Sequence, residues 1–302
     1  MTILSCTSIN RCRMRFLGAA LYGLSGADNR SDYARFCDLL YRPGFYAGMD
    51  AEQIRAVPLN RKWYALLDHG VQLKTGCLQR LLHGCPELGK VLNNELWTVL
   101  GWDSQDPMVA VRFIETHQPR CRALEGSTYR GRVNARMKWA LGVPDWTRLA
   151  VPLALLADVG HPLQRRWLNE HFCNYLALAS LAPPQQDCFA ELWSLINEWL
   201  CARQSIRTKR LQFHWSPNRA SYELRRYRFE QGRDVMIERG WLPQREHPSK
   251  ADLAMLWCIY LGGRPLVRKL LKSLSRGVTH CPRLLRQLMR ELDPRLDITG
   301  AN

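Results

Sequence analysis

The sequence predicts an all-α protein with a multi-helix globular domain and a basic helical C-terminal domain or extension. Apolar residues recur at helical spacing along most of the chain, alternation with a period of two is scarce, and several prolines stand where helices would begin. Of the 302 residues, 46% are hydrophobic and 10% aromatic, which is enough to bury a core and unlike the composition of disorder. We therefore expect about ten helices joined by short turns.

The first 30 residues are expected to be a poorly ordered lead segment. Arg11, Arg13 and Arg15 precede the apolar residues 16–24, a combination that superficially resembles a signal peptide. The apolar stretch is short, is interrupted by glycine and has no clear cleavage site. Met14 offers an alternative translation start, in which case the residues before it are not translated.

Capping residues mark the beginnings of several predicted helices. Asp50 and Gln53 have the spacing of a capping box, in which each side chain accepts a hydrogen bond from the backbone of the other residue. Pro86, Pro107 and Pro265 each stand at the start of a segment with helical periodicity, where a missing N–H costs nothing.

A domain boundary is predicted near Pro184, in a stiff polar turn. It separates a helical domain at residues 31–184 from a basic helical domain at residues 185–302. The second domain would begin with the clearest amphipathic stripe in the chain, formed by Phe189, Leu192, Trp193, Ile196 and Leu200.

Positive charge is concentrated in the last third of the chain. The formal net charge is +16, and residues 203–302 hold 21 Lys and Arg against 9 Asp and Glu. Such a balance favours an acidic partner: a protein, an anionic membrane surface or nucleic acid.

One predicted helix in this third has a basic face, which we take as a candidate partner-binding site. The basic side chains of this face are Arg264, Arg268, Lys269, Lys272 and Arg276. Those expected on the opposite, buried side are Leu266, Leu270, Leu271 and Leu274. Gly262 and Gly263 predict a tight turn before this helix, so a helix-turn-helix that contacts phosphates is an alternative. A purely solvated face also stays open.

A second group of basic residues is added to the same candidate site. Arg225, Arg226 and Arg228 interleave with aromatic residues, a mixture that occurs where bases stack and phosphates are neutralised.

The sequence predicts no catalytic residue, no cofactor and no metal site. The phosphate-binding loop, the dinucleotide-binding glycine pattern, the zinc-protease motif and the serine-hydrolase elbow are all missing from it. Glu170 and His171 could supply an acid and a base, but adjacent helix residues do not face one another. Eleven cysteines with irregular spacing indicate buried thiols in a reducing cytoplasm. An unrecognised nuclease or nucleotide hydrolase is the least favoured alternative.

The stretch from Leu39 to about Ala182 contains a series of features in a distinctive order. They are an aromatic and proline lead-in (40–46), a short helix (51–56), a Leu-rich helix with an internal glycine (63–82), a helix that ends in Leu-Gly (94–101), a later helix (133–142), a polar turn (144–146) and a Leu- and Pro-rich segment (149–156). In its residue types and in the order of these features, this stretch resembles the type III secretion system sorting-platform adaptor family.

This resemblance implies a non-enzymatic cytoplasmic adaptor in protein secretion. Its partners would be the pod protein and the cytoplasmic domain of the inner-membrane ring, so that the chain associates peripherally with the inner membrane. The resemblance does not extend into the basic last third. The main alternative is a DNA-binding protein of mobile-element or regulatory type that uses the C-terminal helix-turn-helix.

Overall fold

The computed structural model is all-α, as the sequence predicts, and the described residues contain no strand. The described residues are 4–102, 106, 108–116, 137, 141–157, 162–182, 186–204, 218–275 and 280–296, without the side chains of 162–164, 203–204 and 273–275. They contain more than the ten helices expected, because several are only four to six residues long. No helix within the described residues is long and apolar enough to span a membrane.

The chain folds into two compact units, and the N-terminal unit consists of Met1–Asp103 and Pro184–Trp199. A 3₁₀ turn at Gln186–Cys188 belongs to its second stretch. The helices of the first stretch are α1 (Cys6–Ser25), α2 (Arg30–Tyr41), α3 (Pro43–Tyr46), α4 (Ala51–Ala56), α5 (Arg61–His69), α6 (Thr75–Gly84), α7 (Leu88–Leu92) and α8 (Glu95–Leu100).

The C-terminal unit consists of Ser104–Pro183 and Leu200–Asn302. A 3₁₀ turn lies at Trp146–Arg148. The helices numbered from α9 onward are α9 (Met108–Thr116), α10 (Ala150–Ala157), α11 (Pro162–Ala179), α12 (Phe189–Gln204), α13 (Arg219–Glu238), α14 (Lys250–Ser275) and α15 (Arg283–Leu292). The unit boundary falls after Trp199, within α12.

The predicted lead segment is wrong for residues 6–25, which form α1, a central helix of the N-terminal unit. The Ser5 hydroxyl accepts a hydrogen bond from the Ser8 amide and so caps the helix. Ile9, before the alternative start, is only 6% exposed. Gly18 explains the interruption of the apolar stretch, since a Cβ there would lie 3.0 Å from the Leu67 Cα. The glycine therefore allows α5 to pack closely against α1.

The predicted boundary near Pro184 is also wrong as a division between two continuous domains. The chain leaves the N-terminal unit after Asp103 and returns to it at Pro184. The returning segment is held there by long-range contacts: Glu191 accepts a hydrogen bond from Arg15 at 2.7 Å, and the Trp199 indole donates to the Val99 carbonyl at 3.0 Å. The first four residues of the α12 stripe, from Phe189 to Ile196, thus help to build the N-terminal unit, whereas Leu200 belongs to the C-terminal unit.

Asp38 is the polar centre of the N-terminal unit. Its side chain is 1% exposed and accepts hydrogen bonds from the Trp63 indole at 3.0 Å, from the Tyr46 hydroxyl at 2.8 Å and from Arg42. Burial alone raises the pKa of Asp38, but the hydrogen bonds from Trp63, Arg42 and Tyr46 outweigh it and hold that pKa below its usual value. The carboxylate therefore stays ionised and ties α2, α3 and α5 together.

The predicted capping box is confirmed at α4. The Asp50 carboxylate accepts from the Gln53 amide at 2.8 Å, and the Gln53 side chain accepts from the Asp50 amide at 3.0 Å. Pro107 lies outside the described residues.

Candidate partner-binding surface

The predicted turn at Gly262 and Gly263 divides α14 into two segments, Lys250–Gly262 and Arg264–Ser275. Gly263 has φ 57° and ψ −157°, a conformation that is essentially restricted to glycine. A Cβ on Gly262 would overlap the side chain of Leu266. Pro265 lies in the first turn of the second segment, where no amide donor is needed. Both glycines are thus required by the backbone path.

We call the first segment of α14 the anchor, because its residues 253–258 are all buried and fix it in the core. Trp257 is fully buried, packs edge-on against Trp167 and Tyr175, and stacks on Tyr260 with ring centroids 5.4 Å apart. A segment held so firmly positions the helix that follows the turn.

Polar contacts of Tyr260 also hold this anchor. Its hydroxyl accepts a hydrogen bond from the Asn174 amide at 2.8 Å and lies 2.9 Å from His171 Nδ1. Asn174 in turn accepts from Arg225 at 2.9 Å. Burial raises the pKa of Tyr260, so the phenol stays neutral and is no general base at neutral pH. The network connects α11, α13 and α14.

The sequence reasoning did not find this network. Its members lie on three helices, and Asn174 and Tyr260 are 86 residues apart in the chain. Glu170 and His171, adjacent on α11, lie 4.0 Å apart between Oε2 and Nε2, closer than their positions on the helix suggest, and His171 also contacts Tyr260 and Trp167.

The second segment of α14 carries what we call the basic–apolar face: Arg264, Val267, Arg268, Leu271 and Lys272. All five side chains are exposed, Val267 by 38% and Leu271 by 57%. Spacings of three and four residues place them on one side of the helix. Lys269 is also exposed, farther around the helix.

The expectation that Leu271 faces inward is therefore wrong, whereas Leu266 and Leu270 are buried, with 6% and 5% exposure. Leu271 follows Arg268 by three residues and Arg264 by seven, so the helical period places it with the cations rather than with the core leucines. The Leu274 side chain and Arg276 lie outside the described residues.

The sequence around the basic–apolar face is free of acidic residues from position 253 to 290 and contains eight Lys and Arg residues. In α15, which packs against α14, Arg283 and Arg290 are exposed. A stretch with charges of one sign produces a strong local potential that attracts acidic groups.

The other predicted group does not form one face with these residues. Arg225 donates to Asn174, and Arg226 donates to Glu230 at 3.2 Å, so both are engaged within the chain. Arg228 is exposed on a different side of α13. Because neighbouring helix residues point about 100° apart, three close arginines do not make one surface.

An open cleft in the N-terminal unit was a further candidate site. It has a volume of about 250 Å³, and its lining includes Arg15, Arg30, Asp68 and Cys188. Both arginines are paired with carboxylates, Arg15 with Glu191 and Arg30 with Asp68. Burial raises the pKa of the Cys188 thiol to about 11, which keeps it protonated and unreactive at neutral pH. The cleft therefore offers neither a free cation nor a nucleophile.

Within the described residues, no group of three or more His, Cys, Asp or Glu side chains is arranged to hold a metal ion.

Comparison with the profiles of known protein families, with curated proteins and with solved structures found no match to this chain. Membership of the secretion adaptor family stays a prediction.

Proposed function

We propose that this protein is a non-enzymatic adaptor that docks an acidic protein partner through the basic–apolar face of α14. The observation that carries the proposal is the exposure of Val267 and Leu271 between Arg264, Arg268 and Lys272, on a segment positioned by a buried anchor. No cofactor is required for docking.

Two kinds of side chain on this face have complementary effects in a protein interface. Arg264, Arg268 and Lys272 speed association with an acidic surface and fix its orientation. Val267 and Leu271 provide apolar area that is removed from water when the partner covers them, which is the main source of affinity. Two exposed aliphatic residues one turn apart between the cations favour an interface over a face that is only solvated.

The expected partners come from the resemblance of residues 39–182 to the sorting-platform adaptors. These are the pod protein of a type III secretion platform and the cytoplasmic domain of its inner-membrane ring. The chain would act on the cytoplasmic side and reach the membrane through its partners. An anionic lipid surface is an alternative ligand for the same cations.

DNA binding is the second candidate, because the turn at Gly263 joins two helices and the second exposes Arg264, Arg268 and Lys272. A face that contacts phosphates is rich in cations and hydrogen-bond donors, whereas this one has Leu271 near its centre. The apolar residues favour a protein partner.

The proposal is tested by imaging a fluorescent fusion of the full chain in its host, with and without the genes of a type III secretion system. We expect foci at the envelope that disappear when those genes are deleted and when Arg264→Glu and Arg268→Glu are combined. The control is Lys74→Glu with Lys90→Glu, which changes the net charge equally at exposed positions of the N-terminal unit. A signal that follows the nucleoid would contradict the adaptor proposal and favour DNA binding.

A further inference from the structure

One side of α13 is exposed along almost its whole length. Its exposed residues recur at intervals of three and four and are Ala220, Glu223, Leu224, Tyr227, Arg228, Gln231, Asp234, Val235 and Glu238. Three of them are large apolar side chains, with exposures of 49% for Leu224, 57% for Tyr227 and 43% for Val235. Apolar residues at these spacings form a stripe that a second helix can cover.

The opposite side of α13 is attached to its own unit. Tyr222 is 3% exposed, Arg225 donates to Asn174, and Arg233 bonds both Asp252 and the Arg245 carbonyl. The exposed side is therefore held in a fixed orientation and is not a consequence of a loosely attached helix.

The exposed side is complementary to itself about Gln231. Arg228 and Asp234 lie three residues before and after this centre, and Tyr227 and Val235 lie four residues before and after it. When two identical helices pack antiparallel across a two-fold axis at Gln231, each Arg228 lies level with Asp234 of the other copy. The two positions are about 120° apart around the helix, so the long Arg228 side chain reaches this carboxylate diagonally across the seam. Each Tyr227 then faces Val235 of the other copy, so both the charges and the apolar groups match.

We propose that α13 forms a homodimer interface in which this exposed side packs antiparallel against the same side of a second copy. A two-fold interface needs a surface that complements itself, and a mixed-sign face meets that need. The basic–apolar face of α14 has cations of one sign only and cannot do so. The dimer does not rest on the proposed adaptor function.

Charge also favours this side of the molecule for self-association. Two chains of net charge +16 repel each other. The carboxylates of Asp234 and Glu238 beside Arg228 make this side less positive than the chain as a whole. Because one helix pair with three large apolar residues per copy buries little area, we expect a reversible dimer rather than an obligate one.

The test measures the mass of the full chain in solution by light scattering and sedimentation over a range of micromolar concentrations. The wild type should approach twice the 35.0 kDa of one chain as the concentration rises. Arg228→Glu alone and Asp234→Arg alone should each stay at the mass of one chain, because each places like charges together twice per dimer. Combining both substitutions in one chain should restore the dimer.

Mixing the two single variants gives the sharpest result. Neither dimerises alone, but a copy with Arg228→Glu and a copy with Asp234→Arg place opposite charges together at both contacts, so a 1:1 heterodimer should form. The matched controls are Arg290→Glu and Glu246→Arg, which make the same charge changes at exposed positions outside α13 and should leave the dimer intact. Thermal unfolding verifies that every variant is folded.

Two results would overturn the proposal. One is a wild type that keeps the mass of one chain at every concentration. The other is a dimer that survives both single charge reversals, which would place the interface elsewhere on the chain.

Discussion

Arg264 and Leu271 lie two helical turns apart on the same exposed side of α14. A strictly amphipathic helix would carry a polar residue at this position, yet it is occupied by Leu271, which is 57% exposed. The energetic consequence is that the chain leaves apolar area in water beside its cations. Docking of an acidic partner, as proposed, would remove that area from water.

Leu271→Ser should weaken binding of an acidic protein partner by about five- to tenfold while leaving binding to DNA nearly unchanged. The folded protein should keep its free energy of unfolding within about 0.5 kcal/mol, since the side chain is exposed. Leu270→Ser, one residue away, is the matched control. It introduces a polar group at a buried site and should lower the free energy of unfolding by about 2 to 4 kcal/mol. Titration of the partner by calorimetry, with urea unfolding of both variants, gives these values.

Combining Arg264→Glu with Arg268→Glu should reduce the association rate with an acidic partner at least tenfold at low salt. Reversed charges repel the partner during encounter, and the effect should shrink as added salt screens it. Stopped-flow measurements at several salt concentrations would show how steeply the association rate depends on salt. An equal reduction with the control pair Lys74→Glu and Lys90→Glu would mean that only net charge matters.

Gly263→Ala should lower the free energy of unfolding by about 1 to 3 kcal/mol, because alanine does not tolerate the backbone conformation at this turn. Gly76→Ala in α6 is the control. A Cβ at that helical position meets no atom within 4 Å, so this variant should be as stable as the wild type or slightly more stable. Urea unfolding compares the two, and equal stabilities would contradict the strained turn.

Tyr260→Phe should cost about 1 to 3 kcal/mol of stability, since Asn174 and His171 lose the hydroxyl that they contact. Tyr64→Phe removes a hydroxyl whose contact with Ser31 is exposed and 3.5 Å long, and should have little effect. If the Tyr260 variant kept full stability but lost a chemical activity, the structural role of this network would be wrong.

Asp38→Asn should destabilise the protein by about 2 kcal/mol at pH 7, because Arg42 loses its carboxylate partner. The folded pKa of Asp38 lies below its ordinary value of 3.8, so its contribution is complete above that value and is lost as the pH falls below it. Urea unfolding midpoints of variant and wild type should therefore converge as the pH falls below 3.8 and through the lower folded pKa of Asp38. Asp50→Asn, which keeps a good capping residue, is the control and should show little difference at either pH.

Local patterns were enough to predict several elements of this fold. The capping box of Asp50 and Gln53 and the turn at Gly262 and Gly263 depend on backbone geometry within a few residues, and both are present. The division into units was not predictable in this way. It depends on contacts such as that between Arg15 and Glu191, which are 176 residues apart.

The candidate surface was predicted only in part. The exposed cations Arg264, Arg268, Lys269 and Lys272 follow from composition and period, as expected. The exposure of Leu271 does not follow from its residue type, because its angle around the helix places it beside Arg264 and Arg268. The grouping of Arg225 with this surface failed for another reason, since its partner Asn174 lies on a different helix.

The most direct test of the docking surface is site-specific photo-crosslinking from position 271 of the full chain in its host. A benzophenone side chain there should crosslink one acidic protein of the secretion platform, and the crosslink should vanish when Arg264→Glu and Arg268→Glu are added. The same probe at the exposed position Lys74 should not capture that protein. Crosslinks to DNA or lipid, or the same captured protein from both positions, would contradict a protein-docking role for this face.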